Sequence, residues 1–96
     1  MPHSVNVAFS CAPGKGAAFL AVLLPALVDT RAYPGCLSVE PYIDQDNPDR
    51  VIVWQKWIGR AEQEAYLTWR NSTHISEVLG PFLCAPPRFI HLTEAH

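Results

Sequence analysis

The sequence predicts a single α+β domain in which two helices cover one face of a four-stranded antiparallel sheet. Three observations predict it. The apolar pattern runs strand, helix, strand, strand, helix, strand; a short polar turn joins the two middle strands; and 96 residues make one domain's length, residues 1–96.

His3 to Cys11, HSVNVAFSC, places Val5, Val7, Phe9 and Cys11 on one face and Asn6, Ala8 and Ser10 on the other, the period of a half-buried strand. Pro13-Gly14 ends it, since proline donates no ladder hydrogen bond. Lys15 to Ala32 is rich in Ala, Leu and Phe and reads as a helix closed by Tyr33-Pro34-Gly35. Helical spacing gathers Phe19, Val22, Leu23, Ala26 and Leu27 on its main stripe. Pro25 lies inside, where it removes a hydrogen bond and crowds the carbonyl of Ala21, so a kink or break is expected near Leu23 to Leu24. Leu20, Leu24 and Val28 leave an adjoining face apolar as well, which calls for a second covering surface, either a partner subunit or an apolar molecule.

Cys36 to Ile43 and Val51 to Ile58 form a hairpin about the polar stretch DQDNPDR. Pro41 makes the first arm an edge strand or a bulged one. Asp44-Gln45-Asp46 is a solvated turn rather than a calcium loop, because Asp49 and Gln55 stand where that loop needs Gly and Glu. Gly59 to Arg70 predicts a helix with Ala61, Ala65, Tyr66 and Trp69 on one side, and Ser72 is a candidate cap for a short helix from Thr73 to Leu79. Arg88 to Thr93 is the last strand. Two right-handed crossovers in this order give the ferredoxin-like split β-α-β-β-α-β plan with sheet order 4-1-3-2. One sheet face stays bare, and a second copy packed sheet against sheet would cover it.

Composition removes several functions. Seven Lys and Arg against nine Asp and Glu leave a net charge of −2 with no basic stripe for phosphates, so no nucleic-acid partner is expected. The longest apolar run, Ala17 to Val28, has 12 residues and is short of the ~20 of a membrane span. No signal peptide is expected, since the opening segment alternates as a strand does and lacks a long apolar run behind a positive leader. Cys11, Cys36 and Cys84 suit neither a zinc site nor a disulfide framework; the expectation is three reduced, mostly buried thiols in a cytoplasmic protein, with no metal. No nucleophile elbow, P-loop or glycosidase-type acid pair is found.

The segment Thr30-Arg31-x-x-Pro34-Gly35-Cys36, followed by Gln55-x-Trp57 at the end of the third strand and Ala65-Tyr66-Leu67 in the second helix, resembles the antibiotic-biosynthesis monooxygenase family over nearly the whole chain. The resemblance implies a dimeric α+β barrel. It also implies an oxygenase that works without metal or flavin on an aromatic or quinol-type molecule, whose own anion passes an electron to dioxygen. The family commonly has Glu-x-Trp and Ala-His-Leu where this chain has Gln55-x-Trp57 and Ala65-Tyr66-Leu67.

Such a site needs an apolar, aromatic-walled cavity with a few groups that stabilise an anion. Trp57, Trp69, Val7 and Phe9 are the candidate substrate-binding wall, with Arg70 as the anion-stabilising group. His74, Tyr66 and Asn71 are the candidate catalytic residues, His74 because imidazole is the side chain suited to proton transfer near neutrality. Trp57 also reads as a core anchor, His74 as an exposed histidine, and His91 as an interface histidine; His3 and His96 are expected at the surface. The expected partners are a second copy, in a homodimer or higher oligomer, and an apolar aromatic ligand. Two other functions stay open: a non-catalytic binding module of the same fold, and haem binding and degradation. The haem reading rests on His74 with Trp69 and is opposed by Val7, which stands where haem-degrading relatives carry Asn.

Overall fold

Alternation of β-branched with polar residues decides which way each strand faces, and the computed structural model, which describes residues 2–95, shows the result. The elements are β1 (His3–Ser10), α1 (Gly16–Ala32), β2 (Cys36–Ile43), β3 (Arg50–Trp57), α2 (Arg60–Ser72), α3 (Ile75–Leu79), a 3-10 turn (Gly80–Phe82) and β4 (Arg88–Leu92). The strands pair antiparallel in the order β2-β3-β1-β4, the order that the split plan requires. β2 is an edge, as Pro41 demands, and its pairing with β3 shifts register between Cys36 and Ser38.

Val5, Val7 and Phe9 of β1 and Val51, Val53 and Trp57 of β3 point to the helices and are buried, as are Phe19, Leu23 and Leu27 of α1. Each such side chain contributes about 1.5–3 kcal/mol by leaving water. The helical stripe of α1 continues one step further than its apolar residues, to Thr30, which is wholly buried. α1 runs unbroken through Pro25, so the expected break is absent. Pro25 is exposed. Leu24 and Val28 also remain exposed.

α1 starts where a backbone crosses it closely. A side chain at Gly16 would collide with the Pro48 carbonyl oxygen, so only glycine fits there. The same approach lets the carboxylate of Asp49 accept hydrogen bonds from the N–H groups of Gly14 and Gly16, at 3.0 and 2.9 Å, which fastens the hairpin turn to the helix start. These two bonds hold the Asp49 carboxyl below its ordinary pKa.

Two expectations for the second helix need correction. Its buried face is Gln63, Tyr66 and Arg70, while Ala61, Ala65 and Trp69 lie outward, because the helix turns its Arg70 inward onto α1. Ser72 closes α2 rather than capping α3: its hydroxyl donates back to the Trp69 carbonyl, and His74, with φ of 58°, makes the left-handed corner into α3. Of the thiols, Cys11 is buried, Cys36 half-buried and Cys84 exposed, all free. His3 and His91 meet through their ring nitrogens at 2.9 Å on the β1–β4 pair. His96 lies outside the described residues.

The other sheet face is bare. Tyr42, Ile52 and Ala8 align across it in one row, Trp54, Asn6 and Ile90 in the next, and Trp54, Tyr42 and Ile90 are each more than a third exposed. No helix of the described residues is long and apolar enough to cross a membrane.

Candidate functional site

Between the helices and the sheet lies a cavity of about 590 Å³. Val7 and Phe9 of β1 and Val53 and Gln55 of β3 form its floor. Leu23, Ala26, Leu27 and Thr30 of α1 form one wall, and Tyr66, Arg70 and Asn71 of α2 with Ile75 and Leu79 of α3 form the other. Leu83, Ala85, Pro86 and Pro87 of the loop before β4, with Phe89, line the remaining side, and the cavity is open to solvent. α2 and α3 meet at the His74 corner, and both contribute to the wall that faces α1. Its volume falls within the range of small-molecule sites.

Its polar edge is a hydrogen-bonded cluster. Thr30 Oγ1 and the Tyr66 hydroxyl lie 2.7 Å apart, buried. Arg70 Nε donates to the Tyr66 hydroxyl at 3.0 Å, and Arg70 Nη2 donates to Thr30 Oγ1 at 3.0 Å and to the Ala26 carbonyl at 2.7 Å. The guanidinium also lies over the rings of Trp69 and Tyr66, at 4.9 and 5.5 Å from their centroids. Among the described residues no carboxylate pairs with Arg70. A buried cation held by neutral oxygens and aromatic faces at the edge of an apolar cavity leaves room for a ligand's negative charge.

Behind this cluster Trp57, fully buried, packs on Tyr66 at 5.0 Å between ring centroids, and Tyr33 spans Trp57, Tyr66 and Trp69. The Trp57 indole N–H donates to Gln55 Oε1 at 3.0 Å, within the core.

Of the residues singled out from sequence, Val7, Phe9, Tyr66, Arg70 and Asn71 are brought together around the cavity. Trp57 and Trp69 do not line it; they back the Tyr66–Arg70 pair from behind. His74 is not brought to the cavity. Its side chain is 75% exposed and lies 3.9 Å from Glu77 on the outer side of the corner. The left-handed conformation that lets it turn the chain also turns its ring away.

Thr30 and Gln55 also line the cavity; in the sequence they stand out only within their motifs and not as site residues. Continuing the Phe19-Leu23-Leu27 stripe would have found Thr30, and strand parity with Val53 and Trp57 would have found Gln55. Leu24 and Val28 lie on the far side of α1 from the cavity lining, so a ligand there would not cover them.

The sequence matches the family model of antibiotic biosynthesis monooxygenases over residues 2–79, and the chain belongs to that family. Its fold matches a crystal structure of an antibiotic biosynthesis monooxygenase with a TM-score of 0.86 at 16% identity, covering 98% of this chain and 99% of that one. A conserved protein from Methanosarcina mazei Go1 superposes with a TM-score of 0.87 at 15% identity, over 99% and 94% of the two chains. PA3566 from Pseudomonas aeruginosa does so with 0.86 at 19% identity, over 99% and 95%. At such identities the likeness shows the fold. No curated protein matches the sequence.

Proposed function

We propose that this protein is a monooxygenase needing no dedicated cofactor, which oxidises an aromatic or quinol-type small molecule bound as its anion in the cavity. The observation that carries the reading is Arg70: a buried guanidinium, with no carboxylate partner among the described residues, bordering a large apolar chamber. A cation in such a place favours the phenolate or enolate over its neutral acid, and the apolar walls remove the water that would otherwise compete.

The chemistry then belongs to the ligand. An electron-rich anion of the naphthol type passes one electron to dioxygen, and the resulting radicals combine to a ring-bound peroxide. Loss of water leaves a carbonyl. One oxygen atom stays on the ring, and the other departs as water with the hydrogens of the ring C–H and O–H. The substrate supplies all four electrons. In this scheme Arg70 holds the anion, Tyr66 positions Arg70 through its hydroxyl, Asn71 hydrogen-bonds at the mouth, and Val7 and Phe9 pack against the rings. Two copies joined through the bare sheet faces would bury Trp54, Tyr42 and Ile90, and this homodimer is part of the proposal.

Oxygen consumption with a panel of dihydroxynaphthalenes and anthrones, with chelator present, tests the reading. Uptake that falls in Arg70→Met supports it. A second reading, a non-catalytic binding module, is favoured by one observation: no Asp, Glu or His lines the cavity among the described residues, so no ordinary general base faces the ligand. Ligand binding without oxygen uptake would select it.

A further inference from the structure

Amide side chains are ambiguous, since their oxygen and nitrogen ends look alike, but Gln55 is an exception that its neighbour resolves. An indole N–H can only donate. The atom of Gln55 that meets Trp57 Nε1 at 3.0 Å must therefore be the amide oxygen, and Trp57 is itself immobilised as a wholly buried side chain. The amide nitrogen is left as the free end. Gln55 is buried from solvent, faces the helices from β3 and lines the cavity, and its nitrogen has no hydrogen-bond partner among the described residues. Arg70 is in a related position: Nε and Nη2 are occupied, while Nη1 has no partner among the described residues. The Tyr66 and Thr30 hydroxyls, the other buried polar groups at the cavity, are engaged with each other and with Arg70. The chamber thus offers its occupant two free, buried nitrogen donors, with Asn71 and Ser76 on its exposed margin and no carboxylate or imidazole among the described residues that line it.

We infer that Gln55 is a specificity-determining residue, a locked donor that with Arg70 selects ligands presenting unprotonated oxygens. The ligand class is acidic hydroxyaryl ketones and hydroxyquinones that ionise before they bind. Plain arene diols, which keep their protons near neutral pH, turn hydroxyl hydrogens toward these two donors and bind more weakly; they are held only as the anion proposed above. The inference rests on the cavity being the small-molecule site proposed above. It goes further by fixing which end of the ligand meets β3 and by assigning loss of the ligand's proton to solvent rather than to a side chain. A buried polar group left unpaired by the wrong ligand is what makes such discrimination steep.

Three probes separate the possibilities: lawsone, a hydroxynaphthoquinone that is an anion near neutral pH; its methyl ether, which keeps both carbonyls without charge; and a naphthalenediol with no carbonyl. Binding is read by quenching of tryptophan fluorescence in the wild type and in Gln55→Glu, which keeps the acceptor for Trp57 and replaces the free donor by an oxygen. The expected result is lawsone bound tightest and the diol weakest, with lawsone weakened about tenfold or more in Gln55→Glu and the diol unaffected or improved. If Gln55→Glu does not fold, Gln55→Met removes the donor without adding charge, and the same loss for lawsone is expected. Equal binding of lawsone and the diol, or equal lawsone binding by wild type and variant, overturns the role of Gln55 while leaving the cavity reading in place. No binding of any probe by the folded wild type overturns the cavity reading itself.

Discussion

Replacing Tyr66 with Phe removes one oxygen atom from the centre of the buried cluster, and its consequences can be worked out bond by bond. The hydroxyl shares a hydrogen bond with Thr30 Oγ1 at 2.7 Å and accepts from Arg70 Nε at 3.0 Å. In the variant Thr30 keeps Arg70 Nη2, so its loss is small. Arg70 Nε loses its acceptor in a place shielded from water. Hydrogen bonds to charged groups are worth about 1.5–3 kcal/mol, which sets the expected loss at about 2 kcal/mol. For a domain of this size that is a fall in Tm of about 8–16 °C. The assay is urea unfolding at one fixed protein concentration, since any self-association adds to apparent stability, with the slope of the transition unchanged. A Thr30→Val variant and the double variant complete a cycle, and the shared network predicts a coupling of about 0.5–3 kcal/mol. A loss in Tyr66→Phe below about 0.5 kcal/mol, with the cycle additive, would show that water satisfies Arg70 and that the cluster is not sealed.

Gln63 is wholly buried with neither amide atom partnered among the described residues, so Gln63→Met, which keeps the length and removes the unmet polar groups, is expected to stabilise by about 1–3 kcal/mol in the same assay; a loss would mean that an internal water holds the amide. Two ionisable groups lend pH dependence. The folded pKa of Asp49 is lowered by the N–H groups of Gly14 and Gly16, so the stability it contributes is present above its ordinary value of 3.8 and lost as pH falls through the lower folded value. Urea midpoints for wild type and Asp49→Asn should therefore converge in acid, and parallel curves would refute this. His91 is lowered by burial, then by Arg60 and His3, so its contribution is full above 6.5 and declines as pH drops further; NMR titration of its ring should give a midpoint below that of an exposed histidine. Trp54→Glu places a charge in the middle of the bare sheet face and should turn a dimer into a folded monomer by sedimentation; a wild type already monomeric would contradict the sheet-to-sheet pairing.

The fold was legible because period and punctuation agree at each element. Val5-Val7-Phe9 alternate as a strand must, Pro13-Gly14 and Tyr33-Pro34-Gly35 bracket α1, and the hairpin between Ile43 and Arg50 leaves one strand order that both crossovers satisfy. Pro25 does not break α1, because a proline on the exposed side of a helix held down by Leu23 and Leu27 removes one hydrogen bond without ending the helix. The apolar half of the candidate site, Val7 and Phe9, follows from strand parity alone. Of its polar half, Tyr66, Arg70 and Asn71 could be named from residue type, but the partners that fix Arg70 could not: Thr30 and the Ala26 carbonyl come from α1, 40 and 44 positions earlier. His74 was chosen for its chemistry, but direction depends on a single positive φ that no residue pattern announces for histidine.

Incubation of the purified protein with a naphthol- or anthrone-type substrate, chelator and isotopically labelled dioxygen, followed by mass spectrometry of the product, examines the proposed chemistry at its root. The account predicts one labelled oxygen atom in the ring carbonyl, formed by the wild type and lost in Arg70→Met. Product that carries no label, or an equal rate without protein, would contradict it.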